Sequence, residues 1–265
     1  MSENAVKELF IEKRVFLLDG DGTLYVWNTA FNSSPLMLKK IRELGKKFII
    51  LSNNDSESKK RRLKSLSRIL KTNLDKDDLL LPNDIVEAFM KDKGVESFDG
   101  LISDDFKNEL VENGFKHDIR DPQVVLVGFD TNLTYAKIKR VISHINKGKT
   151  FLLTHIDPLC PYKGGQEIPD AGLLVELVKA AVKRDPDYVF GKPYSSTIDF
   201  VIEKYRTTKE EMLIIGDRPG TDIKMANENG ISSILVKNQN ADESNYKPDA
   251  IVESIDMLYK MIKDL

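Results

Sequence analysis

Short, mostly apolar candidate strands at 14–18, 47–51, 188–190, 212–215 and 233–236 punctuate the chain, with longer amphipathic stretches between them. Their apolar character is continuous instead of alternating, the pattern of parallel strands covered on both faces. Helical periodicity occupies 35–43, 59–70, 195–205, 221–229 and 254–264. Ser34 as N-cap and Pro35 as first helical residue suit a helix start, and Gly45 and Gly230 suit helix ends. Such alternation predicts an open parallel α/β sheet.

The middle third repeats the pattern on a smaller scale. Residues 100–102, 124–127 and 151–153 read as strands, and 105–113, 135–146 and 171–183 as helices. Pro158, Pro161, Gly164, Gly165 and Pro169 predict one long ordered loop over 157–170. A chain of 265 residues has room for one large domain or two modest ones. The expected division is a core from 1–86 and 176–265, with a smaller α/β segment inserted at 87–175.

Composition narrows the functional classes. Forty basic against 42 acidic side chains leave a net charge of −2, so no bulk attraction to nucleic acid or acidic membranes is expected. The basic run Lys59, Lys60, Arg61, Arg62, Lys64 and Arg68 lies at helical spacing without interleaved aromatics and reads as a solvated helix face. No apolar run reaches the length of a membrane span, and residues 1–7 lack the basic-then-apolar layout of a secretory signal. The single cysteine, Cys160, cannot form an intrachain disulfide, which makes a reducing, cytoplasmic setting the expectation.

Open α/β sheets bind ligands beyond the carboxyl ends of their strands, and four of the predicted strands deliver polar residues there. Asp19-Gly20-Asp21-Gly22-Thr23 follows the first. Two carboxylates at i and i+2 can converge on one site, either dividing attack and proton transfer between them or together holding a hard cation. The flanking glycines relieve steric limits on the turn. Tyr25 stands where a dinucleotide fingerprint needs its third glycine, which excludes that reading. Ser52-Asn53-Asn54 supplies a hydroxyl and amides suited to a phosphate oxygen. Gly191-Lys192-Pro193 offers a lysine as a point charge for phosphate, outside any Walker-type loop. Within Gly216-Asp217-Arg218-Pro219-Gly220-Thr221-Asp222, Asp217 is placed for a cation, and Asp222 for the same metal shell or for orienting a lysine.

In this combination and order, the residues resemble the haloacid dehalogenase-type phosphatase superfamily, whose four motifs match Asp19/Asp21, Ser52, Lys192 and Asp217/Asp222. Val127-Gly128-Phe129-Asp130 before a helix at Tyr135, and Thr154-x-x-Asp157, resemble one branch of it. That branch contains 4-nitrophenyl-phosphatase, phosphoglycolate phosphatase and pyridoxal-phosphate phosphatase. The resemblance implies a Rossmann-like parallel-sheet core with an inserted α/β cap. It implies Mg²⁺ held by the Asp19 carboxylate, the Asp21 backbone carbonyl and Asp217. It further implies hydrolysis of a small phosphate monoester through an aspartyl-phosphate on Asp19, with Asp21 as acid and base. Ser52, Asn53 and Lys192 would bind the phosphate, and Asp222 would support Lys192 or the metal's waters. His155, Asp157, Tyr162 and Lys163 are the cap's candidates for substrate contact. A homodimer formed through the cap, with no nucleic-acid or membrane partner, completes the expectation. The alternative is a binding or regulatory protein that kept the fold and lost turnover. Two positions depart from the branch: Gly20 replaces the usual bulky residue, and His155 stands where Asn is common.

Overall fold

Two parallel sheets organise the chain. The computed structural model describes residues 3–162, 164, 166–237 and 244–265. Helix α1 (Glu3–Glu12) is followed by β1 (Val15–Asp19), the short strands β2 (Tyr25–Val26) and β3 (Thr29–Ala30), and α2 (Ser34–Glu43). Next come β4 (Lys47–Leu51), α3 (Lys59–Ile69), β5 (Leu79–Leu80) and α4 (Pro82–Asp92). Then follow β6 (Ser97–Leu101), α5 (Asp104–Glu112), β7 (Lys116–His117), β8 (Val124–Val127), α6 (Tyr135–Asn146) and β9 (Thr150–Leu153). After β10 (Leu159–Pro161) and β11 (Glu167–Pro169) come α7 (Ala171–Val182) and β12 (Tyr188–Val189). The chain continues through α8 (Ser195–Tyr205), β13 (Met212–Gly216), α9 (Lys224–Asn229), β14 (Ser232–Val236), β15 (Ala250–Val252) and α10 (Ile255–Ile262).

One compact unit comprises Met1–Ser52, Leu63–Leu80 and Lys192–Leu265. Its six strands lie in the order β15-β14-β13-β1-β4-β5, all parallel. Leu18 of central β1 aligns with Ile215 on one side and Ile50 on the other. All five residues of β1 and of β13 are buried, which explains the unbroken apolar runs over Val15–Leu18 and Met212–Ile215. Each such Leu, Ile or Phe contributes about 1.5–3 kcal/mol by leaving water. Helices α1, α2 and α10 pack together in this unit.

The other unit comprises Asn53–Arg62 and Leu81–Gly191, where the sequence reading draws the inserted segment at 87–175. Its five strands are parallel, in the order β12-β9-β8-β6-β7. Leu101, Val125, Val127, Phe151 and Leu153 from the sheet meet Val141, Ile145 and Val178 from α6 and α7 in its core.

Several expectations change. The strand at Tyr188, read with the first series, pairs with β9 in the second sheet, with Val189 beside Leu153. The stretch 157–170 is not one loop, because Cys160 of β10 pairs antiparallel with Ile168 of β11. Ser34 does not cap α2. It lies inside the helix while its Oγ donates to the Leu24 carbonyl at 2.6 Å, and Ser33 occupies the cap position. The helix expected from 221 becomes regular only at Lys224, after a wide turn over Pro219–Ile223 that carries Asp222. Helices α1 and α4 and the short strands β5 and β15 were not legible. Among the described residues, no helix is long and apolar enough to cross a membrane.

Candidate active site

Asp19 ends β1, Ser52 follows β4 and Asp217 follows β13, so three neighbouring parallel strands deliver these residues at their carboxyl ends. The turn after β1 is tied by hydrogen bonds from Gly22 N–H to the Tyr25 carbonyl at 2.7 Å and from Leu24 N–H to the Gly20 carbonyl at 2.8 Å. At Gly20 a side chain would begin 2.6 Å from the Tyr25 hydroxyl, and Tyr25 is wholly buried. Tyr25 therefore occupies the room that a bulky residue at position 20 would need. Gly22 has φ of +95°, and a Cβ there would lie 2.2 Å from Asp217 Oδ2. Glycine both permits that backbone and lets the Asp217 carboxylate close on the turn. Thr23, fully buried, donates its hydroxyl to Asp217 Oδ1 at 3.1 Å.

Lys192 bridges two carboxylates. Its Nζ is bonded to Asp19 Oδ1 and donates to Asp222 Oδ1 at 2.7 Å. Asp222 Oδ2 accepts the Arg218 N–H at 3.2 Å. Asp19, Lys192, Asp217 and Asp222 are all buried. Burial by itself disfavours the ammonium, but the flanking Asp19 and Asp222 carboxylates outweigh it and hold Lys192 protonated, its pKa raised. Burial pushes the Asp222 carboxyl up, against the pull of Lys192. One oxygen of Asp19, Oδ2, is buried with no hydrogen-bond partner among the described residues. Oxygen atoms of Asp19, Asp217 and Asp222 all lie within 4.8 Å of one another. Among the described residues, the cluster sets these three carboxylates beside the Lys192 ammonium, an oxygen-rich set of the kind that hard cations use.

The remaining predicted residues have other surroundings. Asp21 is half-buried, with the Trp27 N–H 3.5 Å from its Oδ1, at the limit of a hydrogen bond. The Ser52 N–H bonds to the Leu80 carbonyl at 3.2 Å. In the second unit, Asn53 Nδ2 donates to Asp157 Oδ2 at 3.3 Å. His155 is fully buried, its Nε2 3.3 Å from Asp55 Oδ1 and 3.4 Å from Asp170 Oδ1. Tyr162 is exposed in the turn between β10 and β11, its N–H bonded to the Gln166 carbonyl. Lys163 lies outside the described residues. Sequence reading assigned no role to Thr23, Asp55 or Asp170. Thr23 closes the aspartate motif, so its signal was available. Nothing local distinguishes Asp55 or Asp170 from ordinary loop and helix-start aspartates.

The sequence pattern of the haloacid dehalogenase-like hydrolase family matches residues 16–116, and a second HAD-hydrolase-like pattern matches 189–258. Phosphoglycolate phosphatase 2 of Arabidopsis thaliana is 26% identical, over 99% of this chain and 98% of its own length. The solved structure of a 4-nitrophenylphosphatase from Thermotoga maritima superposes with a TM-score of 0.89 at 30% identity, covering 95% of this chain and 98% of that one. A glycerol phosphate phosphatase from Mycobacterium tuberculosis, solved in complex with magnesium, shares the fold, with a TM-score of 0.82 at 20% identity. That match covers 94% of this chain and 77% of the other.

Proposed function

Because the chain belongs to the haloacid dehalogenase-like hydrolase family and is a phosphatase, we propose that it hydrolyses small phosphate monoesters with Mg²⁺, through an aspartyl-phosphate on Asp19. One observation carries the reading: Lys192 joins Asp19 to Asp222 in a buried site beside Asp217. The all-oxygen donor set, the orphaned Asp19 Oδ2 and the glycine-lined approach of Asp217 suit a hard divalent cation. Asp19, the Asp21 backbone carbonyl and Asp217 would hold it. Bound there, Mg²⁺ would neutralise charge on the phosphate and on the surrounding carboxylates.

Asp19 attacks phosphorus in line, the alkoxide leaves with a proton from Asp21, and the same Asp21 then deprotonates the water that cleaves the acyl-phosphate. The Lys192 ammonium, bonded to Asp19, meets the equatorial phosphate oxygens, where transition-state charge gathers. Ser52 and Asn53 complete the phosphate contacts, while Asp222 holds Lys192 on its other side. Residues 87–175 would form the cap that selects the leaving group, with Asp157, Tyr162 and Lys163 as contacts. A homodimer would use the exposed apolar residues Leu173 and Leu177, one turn apart on α7, and analytical ultracentrifugation reads that directly. A catalytically inactive binding protein is not favoured, because none of the six motif side chains has been lost.

The decisive assay follows phosphate release from 4-nitrophenyl phosphate with Mg²⁺ or chelator, for wild type and Asp19→Asn. Metal-dependent turnover that disappears in the variant is expected, and equal turnover in both proteins would sink the mechanism. A panel containing phosphoglycolate and glycerol phosphate then ranks substrates.

A further inference from the structure

His155 departs from the branch pattern and is buried between two aspartates. Its Nε2 lies 3.3 Å from Asp55 Oδ1 and 3.4 Å from Asp170 Oδ1, and all three side chains are nearly inaccessible. Each aspartate is anchored elsewhere. Both Asp55 oxygens are 3.3 Å from the Phe129 N–H, and the Asp55 carbonyl accepts from Ser103 Oγ at 3.2 Å. Asp170 Oδ1 accepts the Ala171 N–H at 2.7 Å, at the start of α7. The same neighbourhood contains residues that flank the phosphate motifs. A Cβ on Gly191 would sit 2.7 Å from Asn53 Oδ1 and 2.9 Å from His155 Cβ. Ser52 precedes Asn53 in the chain, and Lys192 follows Gly191.

We propose that His155 is a positioning residue for the phosphate site: bridging Asp55 and Asp170, it pins the segments from which Ser52 and Lys192 lead off. The inference rests on the phosphatase reading above and deepens it.

The ring faces opposed demands. Its Nδ1 is 3.3 Å from the Asp157 N–H, a contact that only a ring protonated on Nε2 alone can accept, whereas the negative charge of the carboxylates gathered at Nε2 favours a second proton on the ring. The charged groups facing it are Asp55, Asp170 and Asp157. A long neutral hydrogen bond contributes little, while two buried carboxylates beside a neutral ring would go uncompensated, which is the larger loss. The imidazolium wins. Burial alone would lower its pKa, and the three carboxylates override that and raise it to about 9. Burial raises Asp170 to about 6, with His155 pulling the other way. The bridge is therefore complete between about pH 6 and about pH 9: below that window Asp170 takes a proton, and above it His155 loses one.

Wild type, His155→Leu and Asp170→Asn are compared with 4-nitrophenyl phosphate and Mg²⁺, with inorganic phosphate as competitive inhibitor, and by NMR of ¹⁵N-histidine protein. His155→Leu should lose roughly ten- to a hundredfold in kcat/KM, with phosphate inhibition weakened in step. Asp170→Asn keeps an acceptor for Ala171 but removes one carboxylate, so the alkaline limb of activity should move to lower pH. The wild-type His155 resonance should remain that of an imidazolium at pH 8. His155→Gln, which keeps one donor, replaces His155→Leu if the latter does not fold. Lowered thermal stability with unchanged phosphate inhibition and an unmoved alkaline limb would reduce His155 to a structural residue and overturn the proposal, as would a neutral ring at pH 8. If wild type releases no phosphate, the reaction reading fails by itself, while phosphate binding and the NMR titration still decide the role of His155.

Discussion

At the scale of single residues, the site depends on where side chains are missing as much as on where they stand. Gly22 is the sharpest case, since a methyl group there would meet Asp217 at 2.2 Å on a backbone with φ of +95°. Gly22→Ala should displace Asp217 and raise the Mg²⁺ concentration needed for half-maximal activity by about tenfold or more. A Mg²⁺ titration of phosphate release in the purified variant checks this, and an unchanged midpoint would show that Asp217 does not need its closeness to the turn. Gly20 illustrates compensation. The sequence marks it as a departure from the branch, and its cause is the wholly buried Tyr25, five residues on in the same turn. His155 is the opposite case, where the chain adds a charge instead of omitting a side chain. Its two aspartate partners are distant in sequence, 100 residues away for Asp55 and 15 for Asp170, so no local pattern announces the bridge.

At the scale of elements, legibility followed periodicity and punctuation. Helix α6 and strand β8 match their sequence bounds because a clear amphipathic stripe and a continuous apolar run define them. Thr134 starts α6 by accepting the Lys137 N–H at 3.2 Å. Thr134→Ala should cost about 1 kcal/mol and Thr134→Ser much less, read as shifts in the urea midpoint at constant slope. Equal midpoints for all three proteins would mean that the cap is replaced by water. Strands β5 and β15 escaped notice because two or three residues carry too little pattern to distinguish from a loop. Helix α1 has a modest apolar face, with Val6 and Phe10 as its buried residues, and it becomes recognisable only once α10 packs beside it. The pair β10 and β11 was masked by prolines, which an antiparallel edge tolerates where their missing N–H is not needed.

At the scale of the whole molecule, charge is near balance and part of the basic run along α3 is paired with acidic side chains. Lys59 pairs with Asp84 at 2.6 Å and Arg61 with Asp105 at 2.7 Å. The protein should therefore show no salt-dependent retention on duplex DNA, and filter binding from 50 to 300 mM salt tests this, with a steep salt slope as the contrary result. By itself the sequence determined the α/β class, the two series of parallel strands, and the four polar motifs at the strand ends. These follow from continuous apolar runs and from residue spacing, which act locally. Tertiary structure alone decided which sheet β12 joins, because a short apolar run fits either sheet until its neighbour, β9, is in place. It also decided that Lys192 spans Asp19 and Asp222, and that Asp55, His155 and Asp170 form one buried group. Those choices depend on electrostatics between residues far apart in the chain, and such energies become large only when folding removes the water between them.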